Sequence, residues 1–506
     1  MALSDGPAAP AIELRAFEPA GARQAASDVF AFHDPCVLGT RASVYVRADG
    51  QGAAYAAACA VRREIDRLDR VFNWRDARSE LSVLNSAARR VASDDLFVVV
   101  SAAERWRELS AGAYSGRLGR LLELWRTAQA PPDAFETARL AREIADAPVR
   151  LDHESRLVIR PEIVRFDLDG LAKGYIVDRA LAAAMAEPGV FAAMVDIGGD
   201  IRCAGAGPEK GRWRVNLPDP LMPFDNASAL GSFALADAAI ATSGCGPRDR
   251  RVGTQMVSAT LDPRTGWPVA YRRSASAIAA SAMDADALAT TILVSKTDEA
   301  RALIARTPGM AARVARPAGA DWFGADQAGG LFCWIDFEAP QKAQASPQPD
   351  YKSGWEDGWI AKLTFNAPPK DMRRDIAFRS PYVAIWVSDP DGKPVRTLLL
   401  IGTIKEWQEN NHVWWRLNRG RTTELLGGRS MSTRGSGVYK VYWDGVDDAG
   451  RAVTPGRYVL HVETSRERGG HTHRTIEGDF SRAREFALEL PVEAESGGLE
   501  LSFEKF

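Results

Sequence analysis

Residues 166–180 read FDLDGLAKGYIVDRA. A strand ends in Asp167 and Asp169, Gly170 permits a tight turn, and AKGYIVDRALAAAM runs on as a helix with Lys173 in its first turn. Backbone N–H groups at a helix start, with an ammonium beside them, make a place for phosphate or pyrophosphate. A plain strand-to-helix turn carrying a solvated lysine is the alternative. Either way, a strand feeding directly into a long helix puts this half of the chain among mixed α and β folds.

Three further stretches carry chemistry. In MVDIGGDIRCAG (194–205) a buried strand runs into Gly198 and Gly199, which allow close approach of a flat ligand or another backbone. Asp200 could accept hydrogen bonds from a ribose or a base edge, and a β-bulge explains the glycines equally well. SAMDADALATTILV (281–294) starts polar and becomes a helix, with Asp286 and Thr290 four apart on one face. A carboxylate beside a hydroxyl supplies the hard oxygens that Mg²⁺ takes when it also holds phosphate; helix capping near Asp284 is the other reading. In SATLDPRTGWPV (258–269) two prolines and a glycine fix the backbone around Asp262 and Arg264, loop chemistry that holds something. The chain has no histidine between His153 and His412, so the commonest general base is missing from that neighbourhood.

The gross composition narrows the partners. Among 506 residues, 64 Lys and Arg face 66 Asp and Glu, a formal charge of −2 that nominates neither nucleic acid nor an anionic membrane. Hydrophobic content of 46% with 26% charged residues is that of a globular protein. The five cysteines, Cys36, Cys59, Cys203, Cys245 and Cys333, form no CxxC pair and are expected to be mostly buried small hydrophobes. No apolar run reaches the roughly 18 residues of a membrane span. MALSDGPAAPAIEL at the start has no basic or continuous apolar region, so the expectation is a cytoplasmic chain or one whose leader has been removed.

The clearest boundary is EAPQKAQASPQPDY (338–351), which has linker composition. Before it, helical segments such as YAAACAVRREIDRLDRVF (55–72) alternate with β-branched runs; after it, PYVAIWVSDPDGKPVRTLLLIG (381–402) reads as strand, turn and strand. GVYKVYWDGVDDAGRAVTPGRYVLHVE (437–463) repeats that hairpin pattern. The expected organisation is an extension over 1–29, an α+β domain over 30–337, a linker over 338–350 and an antiparallel β-sandwich over 351–506.

Taken together, SELSVLN (79–85), GAYSGRLGRLLELW (112–125), DLDGLAKGYIVDRA, VDIGGDI, AIATSG (239–244), LDPRTGWPV and ADALATTILV resemble, in order and spacing, the FAD:protein FMN transferase (ApbE) family over about residues 30–335. The resemblance implies a T-fold-related domain that binds Mg²⁺ and FAD, and that transfers FMN to a threonine hydroxyl of an acceptor protein with release of AMP. Carried across by motif, it implies metal ligands at the Ala172 carbonyl, Asp286 and Thr290. Lys173, Gly198, Gly199, Asp200, Thr242, Ser243, Asp262 and Arg264 would line the flavin nucleotide. Asp262 and Asp284 stand as catalytic candidates, because the family's histidine before DPRTG is Ala259 here.

Other departures accompany Ala259: Leu38-Gly39-Thr40 replaces Met-Gly-Thr, Ser115-Gly116-Arg117 replaces an Asp-Pro-Thr-like run, and Cys245-Gly246 follows the TSG. Loss of the histidine leaves two further readings open, a module that holds FAD without transferring it and a slow FAD pyrophosphatase. The second half resembles a domain of unknown function from exported bacterial proteins and the immunoglobulin-like hairpin of flagellar hook-capping proteins. That likeness implies a periplasmic location and a sandwich that docks or presents the acceptor. GGRSMSTR (427–434) keeps Thr433 and Arg434 of a flavin-acceptor-like run but reads as a surface loop. The HTH of SRERGGHTHRT invites a metal reading, yet the stretch reads as a basic loop.

Overall fold

The computed structural model of the chain describes residues 29–219, 222, 224–227, 229–244, 249–253, 255–270, 273–316, 319–325, 330–336, 355, 358–367, 382–401, 410–418, 430–431, 437–465, 470–492 and 497–505. The expected extension apart from Val29, the linker 338–350, Cys245, Gly246, Thr433 and Arg434 lie outside the described residues.

The first half is built on an eight-stranded sheet in the order Val29–Val37, Thr40–Ala48, Val190–Ile197, Asp200–Ala204, Ala239–Gly244, Ser274–Ala279, Ala311–Arg316, Gly319–Phe323, every neighbouring pair antiparallel. Period-two alternation sends Ala193, Val195 and Ile197 to one face and Ala192 and Met194 to the other, and both faces are buried. On the first face the small side chains of Ala239, Ala241, Ala275 and Ala277 let helices come close. The helices Gln51–Phe72, Asp169–Met185 and Ala282–Val294 pack there. The opposite face is covered by a three-stranded sheet, Phe332–Asp336, Ala229–Leu235 and Trp213–Pro218, which buries Trp213, Phe233 and Leu235 against Met194 and Ile240.

Two local expectations change. No strand precedes Asp167: Arg165 makes a single bridge to Leu118, Gly116 and Gly119 bond the backbone of Asp167 and Arg165 on one side, and on the other Asn85 accepts from the Phe166 N–H and donates to its carbonyl, both at 2.8 Å. One side-chain amide thus supplies what a strand neighbour would. The helix begins at Asp169 and departs from helical geometry at Gly170, φ −84° and ψ 15°. The paired glycines are not a bulge but a two-residue hairpin turn, Gly198 at φ +60° and Gly199 at φ +93°, with Ile197 opposite Asp200. Leu38 and Gly39, at φ 52° and 73°, make the same kind of turn between the first two strands. The turns abut, since a Cβ on Gly198 would lie 2.6 Å from the Thr40 hydroxyl.

The second half is a sandwich of two sheets. One runs Gly437–Trp443, Trp359–Ala367, Leu499–Lys505, Phe486–Leu490; the other runs Ser430–Met431, Pro394–Ile401, Tyr382–Ser388, Arg457–Ser465, His471–Asp479. Between them Leu363, Phe365, Ile385, Trp443, Leu460 and Phe503 form the core. The strand pair at 381–402 is a hairpin as expected. The 437–463 stretch is not: Gly437–Trp443 pairs with Trp359–Ala367 and Arg457–Ser465 with Tyr382–Ser388, in opposite sheets. Its connection closes on itself, Asp447 accepting from the Ala449 and Arg451 N–H groups, and carries the chain across the sandwich. HTH is not a loop either. It opens the strand His471–Asp479, which pairs along its length with Arg457–Ser465.

The segment after Trp213–Pro218 reaches the sandwich and covers the open side of Gly437–Trp443. Asp225 N–H donates to the Lys440 carbonyl (2.7 Å) and its carboxylate accepts from the Lys440 N–H (2.9 Å). The Asn226 amide bridges the N–H and C=O of Tyr442 at 3.0 and 2.8 Å. Met222 and Phe224 pack with Ile360 and Tyr442 beneath these bonds. Among the cysteines whose surroundings are described, Cys203 is buried, Cys59 half-buried and Cys333 exposed, so the expected burial holds for one of them.

Candidate active site

The first turns of the helices Asp169–Met185 and Ala282–Val294 meet at the end of the large sheet. Gly174 makes the meeting possible, for a Cβ there would lie 2.2 Å from the Ala282 carbonyl oxygen. Asp178 locks it: its carboxylate accepts from the N–H groups of Ala282 (2.8 Å) and Met283 (3.0 Å) and pairs with Arg202 at 2.7 Å. Sequence reasoning passed over Asp178, whose place five residues beyond Lys173 and one helical turn past Gly174 was the available signal.

Where the helices cross, Asp286 is 4% exposed and Asp200 1%. Gly174 N–H donates to Asp286 at 3.3 Å, and the Lys173 ammonium lies 3.2 Å from Asp200. Burial, and then the neighbouring Asp200, hold the Asp286 carboxyl well above the usual carboxylate range. Burial also raises Asp200, against the pull of Lys173. The two carboxyls meet beside the Lys173 ammonium, and Asp196 is near enough to disfavour charge on Asp200 as well. One turn further along, Thr290 shares a 3.0 Å hydrogen bond with Ser243 and sits against Gly170, while Thr242 bonds Ser276 at 2.8 Å. Ala172 is buried one residue before Lys173. The Lys173 side chain also reaches the Gly198 carbonyl at 3.5 Å, and nothing lies within 4 Å of where a Gly199 side chain would project. The structure therefore brings Ala172, Lys173, Gly198, Gly199, Asp200, Asp286 and Thr290 to one place, with Thr242 and Ser243 on the adjoining strand.

The 258–269 loop is a separate clamp. Asp262 binds Arg264 through both carboxylate oxygens, each at 2.9 Å, and Arg264 continues to Glu299 at 3.0 Å. Trp125 donates to the Gly266 carbonyl at 2.7 Å. Asp262 and Arg264 thus brace the loop backbone and tie it to the helix Thr297–Arg306. Asp284 is engaged as well, accepting from Arg105 (2.8 Å), Trp106 (3.0 Å) and Ser281 (2.8 Å), so it secures a helix start. At the position of the missing histidine, Ala259 N–H donates to Asp249 at 2.9 Å. Asp249 is thereby a carboxylate next to position 259, and nothing in the local sequence marked it. Arg117, from the departing Ser-Gly-Arg run, is buried and ion-paired to Glu104 with its Nε at 2.9 Å, a structural use of that position. A small polar cleft lined by Trp74, Asn85, Arg126 and Asp167 opens near the start of the Asp169–Met185 helix, with the guanidinium of Arg126 4.1 Å from the Trp74 ring centre.

A sequence model of the ApbE family matches residues 38–314, more than half of the chain. The chain belongs to the ApbE family. Its ApbE module is 32% identical over 248 residues to a Vibrio cholerae protein named FAD:protein FMN transferase, covering 46% of this chain and 73% of that one. A Treponema pallidum protein of the same name is 28% identical over 255 residues, 46% of this chain and 69% of the relative. Among solved structures, the ApbE protein of Thermotoga maritima aligns with TM-score 0.52 and 26% identity over 60% of this chain and 99% of its own. The apo flavinyl transferase ApbE of Pseudomonas stutzeri shares the fold at TM-score 0.50 and 22% identity, over 60% of this chain and 96% of its own. Beyond the ApbE module, residues 371–497 match a family described as a predicted periplasmic protein, DUF2271. Among the described residues no helix is long and apolar enough to cross a membrane.

Proposed function

We propose that this protein is a Mg²⁺-dependent FAD:protein FMN transferase, moving FMN from FAD to a threonine hydroxyl of an acceptor protein with release of AMP. The observation that carries the reading is the Asp200–Asp286 pair, two buried carboxyls beside a single ammonium. Burial and the neighbouring Asp200 disfavour charge on Asp286 unless a cation joins it, and hard oxygen donors in a buried site suit Mg²⁺. Asp286, Thr290 and the Ala172 carbonyl would hold the ion. When bound, Mg²⁺ would neutralise charge gathering on pyrophosphate oxygens.

The chain's own residues do the rest. Lys173 pairs with phosphate, the open turn at Gly198-Gly199 lets the nucleotide approach the backbone, and Thr242 and Ser243 offer hydroxyls on the adjoining strand. In the transfer, the threonine oxygen bonds to the FMN phosphorus, the bond from that phosphorus to the bridging oxygen breaks, AMP leaves with the electron pair, and the threonine proton passes to a base. Asp262 and Arg264 keep the rim loop in shape for this step.

Alanine at 259 favours a second reading, a slow or silent transferase that still holds FAD. Asp249 is the acid placed to take over as base, since it already touches position 259. We place the module boundary at 338–350, the sandwich as the part that docks or presents the acceptor, and the protein in the periplasm, in keeping with the description of the second family. The test is incubation with FAD, Mg²⁺ and a threonine-motif peptide, followed by flavin fluorescence on the peptide under denaturing conditions. Fluorescence that disappears with EDTA is expected. AMP and FMN released with a bare peptide would replace the proposal with hydrolysis, and FAD binding without either product would replace it with the binding module.

A further inference from the structure

Four of the chain's six histidines, His412, His461, His471 and His473, lie together in the sandwich, outside the domain that holds the site above. The fold gathers them. Along Arg457–Ser465, His461 and Glu463 are two apart and share a face; along His471–Asp479, so do His471 and His473, with Glu463 directly opposite His473. The short helix His412–Asn418 then brings His412 onto His471, the two rings 3.9 Å apart.

Glu463 is the fixed point. It is fully buried, and it accepts from the Val413 N–H (2.9 Å), the Trp414 N–H (2.8 Å) and the His471 Nε2 (2.7 Å). Two carboxylate oxygens offer about four lone-pair sites, so three donors leave one unused. Among the described residues, its only cationic partner is an imidazole that carries charge only when protonated. Burying a carboxylate under those terms is expensive unless a cation shares the site. His412, Glu463 and His471 each offer a ligand atom, all within 4.8 Å of one another. A zinc-type ion with bonds of about 2.0–2.2 Å bridges atoms up to roughly 4.4 Å apart, so a small turn of the two exposed rings closes the set.

The surroundings support a cation. His461 and His473 are hydrogen-bonded at 3.1 Å, stacked flat on Trp386, and His461 is further tied to Ser388 at 2.9 Å. The backbone bonds to Glu463 supply the outer support that orients a metal-binding carboxylate.

We propose that His412, His471 and Glu463 form a second metal site, separate from the flavin site, that takes a borderline divalent transition metal such as Zn²⁺. Its two-nitrogen, one-oxygen donor set selects imidazole-loving metals, where the all-oxygen set at Asp286 selects Mg²⁺. The full chain, made without a polyhistidine tag and stripped with EDTA, is titrated with Zn²⁺ by calorimetry in excess Mg²⁺. One Zn²⁺ per chain is expected, weakened at least about tenfold by His412→Ala and by His471→Gln and unchanged by Asp286→Asn. His412 is exposed, so its variant should keep the wild-type circular dichroism. No zinc uptake, or uptake indifferent to both histidine variants, overturns the site.

Discussion

Asp286→Asn should stabilise the metal-free protein while abolishing its response to Mg²⁺. The folded state holds the Asp286 proton more tightly than the unfolded chain does, because burial and Asp200 disfavour its charge. Between the ordinary carboxylate value near 4 and the raised folded value, the folded state therefore binds the extra proton. Stability is greatest below that window and declines as pH rises through it, by up to about 1.4 kcal/mol per pH unit. Asparagine keeps the shape and can still accept the Gly174 N–H, but it cannot ionise. In EDTA, wild type and variant should converge near pH 4, and the variant should lead by a margin that grows with pH until the folded value is passed. Each kcal/mol moves the melting temperature by about 2–4 °C in a domain of this size class. Adding Mg²⁺ at about 100 times its dissociation constant should return about 2.7 kcal/mol to wild type and little to the variant. Thermal unfolding from pH 4 to pH 9, with EDTA or Mg²⁺, reads both effects. A variant less stable than wild type at pH 8 in EDTA, or one with an undiminished Mg²⁺ shift, would refute the reasoning.

Ala259→His should raise transfer to a threonine peptide at least about tenfold, the low side of what a positioned base contributes, with FAD affinity nearly unchanged in a calorimetric titration. In wild type, Asp249→Asn should reduce whatever transfer exists, and an unchanged rate would remove Asp249 as the base. Lys173→Met should weaken FAD binding by at least tenfold, since a buried charge pair with Asp200 is broken and a phosphate partner is lost; equal affinities by equilibrium dialysis would contradict this. Asp178→Ala strips two helix N–H groups and Arg202 of their acceptor and should cost about 2–3 kcal/mol in urea unfolding, without a change in the Mg²⁺ requirement.

What could be read in advance was whatever neighbours in sequence decide. The helix over 282–294, the glycine pair beside Asp200 and the apolar strands at 381–402 are local patterns, and their motif order pointed to the family. The misreadings have a common physical source in distant partners. Asn85 replaced the strand expected before Asp167 from a position 81 residues away. The strands flanking residues 444–456 obeyed period two yet joined different sheets, because alternation fixes a strand's faces and not its neighbour. Asp200 and Asp286 were each seen as oxygen donors; that they meet, and that Asp200 raises Asp286, follows only from the crossing at Gly174. His412 and Glu463 carried no sequence sign of belonging with HTH, since the helix start and the strand that join them are brought together by the sandwich alone.

The bonds from Asp225 and Asn226 to Lys440 and Tyr442 bear on how such fusions can be rearranged. A strand at the margin of a sheet invites pairing with any other chain unless something occupies it. Here the occupant comes from the other module, as one backbone N–H and two side chains imitating a neighbouring strand over Gly437–Trp443. The sandwich therefore does not travel alone: a graft that moves it onto another flavin-transferase module without the 219–227 segment carries a bare β-margin and should self-associate. The unit that can be transplanted is the sandwich together with a loop that lies more than a hundred residues before it in the chain.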